Sequence, residues 1–121
     1  MNMATAAELR QRVGEDLGIV PIGQLLESQD QSRIDASYLE AWTRLKNEGL
    51  AAWPYSGEIP DEFVPFVALM IEQRLLTSYS VPESRYVRIT NEAGVDGGMA
   101  VAKISRMLSQ NYYSVTPYTD Y

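Results

Sequence analysis

Apolar positions recur at helical spacing in five stretches of the chain, and no convincing strand pair is readable. Leu9, Val13 and Leu17 fall every four residues and predict a first helix with one narrow buried stripe. Thr5-Ala6-Ala7-Glu8 marks its start as a capping box, and Gly18 stands where a left-handed cap would end it. Ile19-Val20-Pro21-Ile22-Gly23 follows as an apolar connector, in which Pro21 and Gly23 oppose continued helix. The second helix opens on Ser28-Gln29-Asp30-Gln31, a further capping box. It carries Ile34, Tyr38, Ala41, Trp42 and Leu45 on one face. Gly49 ends it, with Leu50 placed for the apolar contact of a Schellman cap.

The third stretch starts near Pro60-Asp61-Glu62, where Pro suits a first turn and the acids face the positive end of the helix dipole. Pro65 predicts a kink there, or a helix that properly begins there. Phe66 to Ile71 is apolar all round, and Leu75, Leu76 and Tyr79 continue it. Such a helix is surrounded by others, which makes it the central core helix. Ser80-Val81-Pro82-Glu83 opens a fourth helix over roughly 82–93, with Tyr86, Ile89 and Ala93 on its inner side. Gly94, Gly97 and Gly98 break it, and Asp96 is placed to cap a fifth helix that runs to about residue 109 on Ala100, Val101, Ile104, Met107 and Leu108. The predicted fold is therefore all-α, a small helical bundle of four to five helices over residues 1–110 with an extended C-terminal tail over 111–121.

That tail differs from the rest. It holds four of the eight tyrosines, Tyr112, Tyr113, Tyr118 and Tyr121, together with Val115 and Pro117, and no Lys, Arg, Leu or Ala. A solvated linker would carry fewer aromatics. Tyrosine gives large contact area with few rotatable bonds, so Tyr112, Tyr113, Val115, Tyr118 and Tyr121 are the candidate residues for docking on a partner. The bland alternative is a frayed terminus.

Composition narrows the chemistry. The 121 residues contain no Cys and no His. That excludes disulfides, thiolate nucleophiles and Cys-type metal sites, and removes the commonest general base and transition-metal ligand. No catalytic, cofactor-binding or metal-ligating residue is expected. The net charge of −6 opposes non-specific gripping of DNA or anionic lipid. Residues 1–62 hold 11 acids against five bases, whereas residues 63–121 hold five of each, so the whole excess lies in the first half. Met1-Asn2-Met3-Ala4 has neither a basic region nor an apolar one, and the run from Phe66 to Ile71 is far too short for a membrane span, so a protein made and kept in a cytoplasm is expected.

The remaining motifs have bland readings. Glu58, Asp61 and Glu62, and the pair Glu15-Asp16, are explained by caps, first turns and solvated faces, and no clear carboxylate pair for acid–base work is visible. Gly94-Val95-Asp96-Gly97-Gly98 matches no phosphate-loop pattern and reads as a turn. Arg85 and Arg88 form a basic stripe that could face a partner, or an ordinary solvated face with an Arg88–Glu92 ion pair. Trp42 and Trp53 read as core and loop anchors.

Five segments together resemble a known family. They are Ala4-Thr5-Ala6-Ala7-Glu8-Leu9-Arg10, Asp16-Leu17-Gly18-Ile19-Val20-Pro21-Ile22-Gly23-Gln24, Gln29-Asp30-Gln31-Ser32-Arg33-Ile34, Val64-Pro65-Phe66-Val67-Ala68-Leu69-Met70 and Leu76-Thr77-Ser78-Tyr79. Their order resembles the small head-to-tail adaptor proteins of tailed bacteriophages, of the podovirus packaged-DNA stabilisation or tail accessory type. The resemblance implies a virion protein of the neck, assembled in the host cytoplasm. A ring of itself, twelve copies, would sit beneath the portal protein, extend the DNA channel, retain the genome and offer a platform to a nozzle or further adaptor of the tail. DNA would pass through without specific binding, no membrane would be involved, and the C-terminal segment would lie against the portal. Some podovirus relatives are credited with cell-wall-degrading activity, which nothing in these residues supports. Two other classes compete: a small carboxylate-dependent hydrolase, and a cytoplasmic helical protein–protein adaptor.

Overall fold

The computed structural model describes residues 2–112. Helix α1 spans Ala6–Leu17 and starts with the reciprocal cap the sequence predicts. Thr5 Oγ1 accepts from the Glu8 N–H at 3.1 Å, and the Glu8 carboxylate accepts from the Thr5 N–H at 2.9 Å. Helix α2 spans Ser28–Asn47, and here the predicted capping box is not formed. Glu27 holds the cap position without a side-chain bond, and Ser28 is already helical. The Gln31 amide instead donates to the Leu26 carbonyl at 2.9 Å, tying the incoming chain to the first turn. The far end follows the prediction. Gly49 takes φ +74°, the Leu50 N–H donates to the Leu45 carbonyl at 2.7 Å, and the Gly49 N–H donates to the Lys46 carbonyl at 3.0 Å.

One departure from the all-helical expectation is a short antiparallel pair, β1 (Met3–Ala4) with β2 (Ile59–Pro60). A two-residue ladder has no periodicity for a sequence to display. Pairing with Met3 takes Pro60 out of the third helix. Asp61–Phe63 form a 3-10 turn, and helix α3 spans Val64–Leu75. Pro65 thus lies in the first turn, where its missing N–H leaves nothing unpaired. Helix α4 spans Glu83–Ala93 and helix α5 spans Gly98–Met107, followed by a wide turn over Leu108–Tyr112. Asp96 does not cap α5. It sits inside the Val95–Gly97 turn at φ +53°, its carbonyl accepts from Arg44, and Gly97 takes the cap position.

Helix α3 lies at the centre and touches α1, α2, α4 and α5. Its Val64, Val67, Ala68, Met70, Ile71 and Leu75 are buried. Leu9, Val13 and Leu17 close on it from α1, and Ile34, Tyr38, Ala41 and Leu45 from α2. Ile89 and Ala93 cover it from α4, and Ala100, Val101 and Ile104 from α5. Each large side chain buried this way stabilises the fold by about 1.5–3 kcal/mol. Tyr86, expected on the inner side of α4, is 41% exposed, because the buried residues of that helix lie in its second half.

Both tryptophans act as anchors. Trp53 is buried and stacks on Phe63 at 5.4 Å between ring centres. Its Nε1–H donates to the Tyr38 hydroxyl at 2.9 Å, and the Trp42 Nε1–H donates to the Trp53 carbonyl at 3.0 Å. These bonds fold the loop after α2 back onto that helix. Across the bundle, Arg10 makes two parallel bonds to Asp35, at 2.9 and 3.1 Å, and so ties α1 to α2.

Leu26 crosses α1 at Gly14. A Cβ on Gly14 would lie 2.6 Å from Leu26 Cδ2 and 3.1 Å from its Cγ, so the whole side chain would have to move. Alanine in mid-helix is otherwise favoured over glycine by roughly 0.5–1 kcal/mol. Overpacking outweighs that gain, and Gly14→Ala is expected to destabilise the fold by about 1 kcal/mol net, read as a lower urea midpoint. Combined with Leu26→Ala the same substitution should become neutral or stabilising. A stabilised single variant would contradict the packing described.

Candidate functional site

Helix α3 carries a carboxylate among its apolar residues. Glu72 is 1% exposed. It falls four residues after Ala68 and four before Leu76, both buried, so the helical pattern itself puts position 72 on a covered face. That spacing was the signal available in the sequence. It is obscured there because Glu72 opens the polar triplet Glu72-Gln73-Arg74 that interrupts the apolar pattern between Ile71 and Leu75.

The neighbour that meets Glu72 is Asp16, near the C-terminal end of α1. Burial is the main reason the Glu72 carboxyl is pushed up to about 10, followed by a hydrogen bond with Asp16 and repulsion from its charge. Arg88 and Arg12 oppose the shift more weakly. Glu72 therefore keeps its proton at neutral pH and donates it to the Asp16 carboxylate. Its Oε2 has no hydrogen-bond partner. Arg12 Nε lies 3.5 Å from Asp16 Oδ2, on the outer side of the pair.

Arg85 and Arg88, the basic stripe read from the sequence, are both exposed on α4 and come to this same corner. The Arg85 guanidinium donates to the carbonyls of Glu15, at 2.8 Å, and Asp16, at 3.3 Å. It thereby satisfies carbonyls that the end of α1 leaves open, where a cation also meets the negative end of the helix dipole. Arg88 faces Asp16 and Glu72 instead of forming the Arg88–Glu92 ion pair that its spacing allows. Glu15, Asp16, Ile22, Arg85 and Arg88 line a shallow hollow of about 280 Å³ above the pair. The Glu15 carboxylate accepts from the Gln11 amide at 2.9 Å and the Gly23 N–H at 3.1 Å, and these bonds hold it below the usual carboxylate range.

Chemically, the corner is a proton-sharing carboxyl pair roofed by arginines. The sequence alone shows no clear carboxylate pair, because residues 16 and 72 meet only through the packing of α1 on α3. Glycosidase pairs hold their carboxyl groups apart across an open cleft with room for substrate or water. Here the two carboxyls bond each other and one is sealed from solvent. Glu58, Asp61 and Glu62 are all exposed, and among the described residues no group of three or more metal-binding side chains gathers. Among them, too, no helix is long and apolar enough to cross a membrane. Of the candidate docking residues, Tyr112 ends the wide turn after α5, and Tyr113, Val115, Tyr118 and Tyr121 lie outside the described residues.

The raised Glu72 carboxyl has a definite signature in stability. Between its ordinary value of 4.5 and about 10, the folded chain holds a proton that the unfolded chain has released, so this group makes stability fall as pH rises across that window. Glu72→Gln keeps the shape and the bond to Asp16 and has no proton to lose. Its stability advantage over the parent chain is expected to grow from about pH 5 to about pH 8, by roughly 1 kcal/mol per pH unit. Urea unfolding at several pH values checks this, and parallel curves for the two proteins would contradict a neutral, buried Glu72.

No protein-family model matches the chain, and no curated protein or solved structure matches it.

Proposed function

We propose that the chain is a virion structural protein, a head-to-tail adaptor. Copies of it form a ring beneath a portal, extend the DNA channel, help retain packaged DNA and receive the next tail protein. The segment 111–121 docks on the portal through Tyr112, Tyr113, Val115, Tyr118 and Tyr121.

The observation that carries this reading is the five-helix bundle, of the kind the family resemblance implies, with large apolar side chains presented from its connections. Ile22 and Leu25, in the loop between α1 and α2, are 88% and 85% exposed, and Val95, between α4 and α5, is 89% exposed. Their cost in solvent is relieved when a neighbouring copy covers them. The acidic excess of residues 1–62 suits a passage along which DNA slides, because like charge prevents tight phosphate contacts.

The Asp16–Glu72 pair favours a second reading, a carboxylate-dependent hydrolase. Against it stand the burial of Glu72 and the direct bond between the two carboxyls. No turnover of peptidoglycan is expected; turnover that Asp16→Asn abolishes would establish the hydrolase instead.

The adaptor reading is tested by deleting residues 111–121 and mixing the product with a portal protein encoded in the same genome. The shortened protein is expected to keep its helical circular dichroism and to stop co-sedimenting with the portal. If it still binds as tightly as the full chain, the docking role of the tail is wrong.

A further inference from the structure

Ile22 and Leu25 are held out into solvent by a loop that is itself fixed. They are 88% and 85% exposed, while the residues between and beside them are tied down. The Gly23 N–H donates to the Glu15 carboxylate at 3.1 Å, the Gln24 N–H donates to the Pro21 carbonyl at 3.1 Å, and the Gln24 carbonyl accepts from the Gln11 amide. Leu26 is buried against Gly14 of α1, and its carbonyl accepts from Gln31 of α2. A loop without these ties would be free to turn its aliphatic side chains inward, whereas this one keeps them presented. Presentation from a fixed loop lowers the ordering cost of docking. None of residues 18–26 carries a charge, so no ion loses its water when the loop is covered.

A receiving surface lies farther along the same chain. The outer side of α2 and the end of α3 form a groove of about 580 Å³. Leu39, Thr43 and Asn47 line it at four-residue spacing, an uncharged stripe in which Leu39 is 46% exposed. Its rim is charged but balanced: Arg44 pairs with Glu48 at 3.1 Å, and Arg74 with Glu40 at 3.0 Å. These charges answer one another, and the uncharged stripe is left facing solvent. The loop is too far away to fill its own groove. Leu25 precedes α2, and Leu39 stands eleven residues after Ser28, the first residue of that helix, about 17 Å along its axis.

We propose that the loop bearing Ile22 and Leu25 in one copy seats in the groove over Leu39 and Thr43 of the next copy. The two surfaces match in kind, an uncharged apolar projection and an uncharged stripe with a balanced rim. They are different surfaces at different places on the molecule, so the contact is head-to-tail: each copy gives its loop to one neighbour and its groove to the other. Repeated with a fixed rotation, such a contact closes into a ring or, without closure, runs on as a filament. The inference deepens the adaptor reading and rests on its claim that copies meet.

The absence of cysteine from the chain opens the contact to cross-linking. Leu25→Cys and Leu39→Cys each place one thiol at an exposed position, and the two purified full-length variants are mixed and oxidised. A disulfide needs Cα atoms within about 7 Å, so only residues that meet are joined. The mixed dimer, linked between positions 25 and 39, is expected to exceed either like-with-like dimer about tenfold. A chain carrying both substitutions is expected to give a ladder of dimers, trimers and larger species. Ile22→Asp added to the first variant, or Thr43→Arg added to the second, should cut the mixed product about fivefold or more at unchanged helical circular dichroism. Like-with-like dimers as abundant as the mixed one, no dimer at all, or a yield indifferent to the added charges would each overturn the assignment. Co-sedimentation of the full chain with the portal is read beside it. Portal binding without the 25–39 link refutes this interface and leaves the adaptor reading standing, whereas the link without portal binding does the reverse.

Discussion

Helix α3 is apolar all round from Phe66 to Ile71, and the need to cover that stretch governs the whole chain. Residues 64–75 present buried side chains to α1, α2, α4 and α5 alike, so the four other helices are placed by what they cover. The short β1–β2 pair and the 3-10 turn before α3 serve the same end by fixing where that helix enters the core. The one polar group on its covered surface, Glu72, is tolerated because it stays protonated and finds Asp16 at the end of α1. A charged Glu72 would have to lose its hydration with only the weaker attraction of Arg88 and Arg12 in return.

Much of this architecture is legible in the amino-acid pattern, for identifiable reasons. Leu9, Val13 and Leu17, or Ile34, Tyr38, Ala41 and Leu45, are buried because helical spacing alone aligns them on one face. Gly18 and Gly49 end their helices because the cap there needs a left-handed residue. The failures are places where a distant partner decides. Ser28 matches a capping signature, yet the Gln31 bond to Leu26 shifts the helix start by one residue. Asp96 looks like a cap until Arg44, more than fifty positions away, takes its carbonyl. The Asp16–Glu72 pair is invisible for the same reason. Its two halves lie on different helices, and only tertiary packing joins them.

The arginines show how one residue type takes different tasks under different surroundings. Arg10 is a tie between helices through its two bonds to Asp35. Arg85 completes the end of α1 through the Glu15 and Asp16 carbonyls. Arg33 stands over the Tyr79 ring and bonds the Tyr79 side chain, whose hydroxyl donates to Asp30 at 2.8 Å.

The adaptor proposal binds these features to one physical object: a bundle whose exposed loop residues meet neighbours and whose terminal tyrosines meet a portal. Image reconstruction of the neck of a particle that carries this protein tests it most directly. The account predicts a closed ring of these five-helix bundles beneath the portal, with the Ile22–Leu25 loop covered by an adjacent copy and the chain beyond residue 112 lying on the portal. A neck without this chain, or one in which the bundle stands alone with residues 111–121 turned away from the portal, would contradict it.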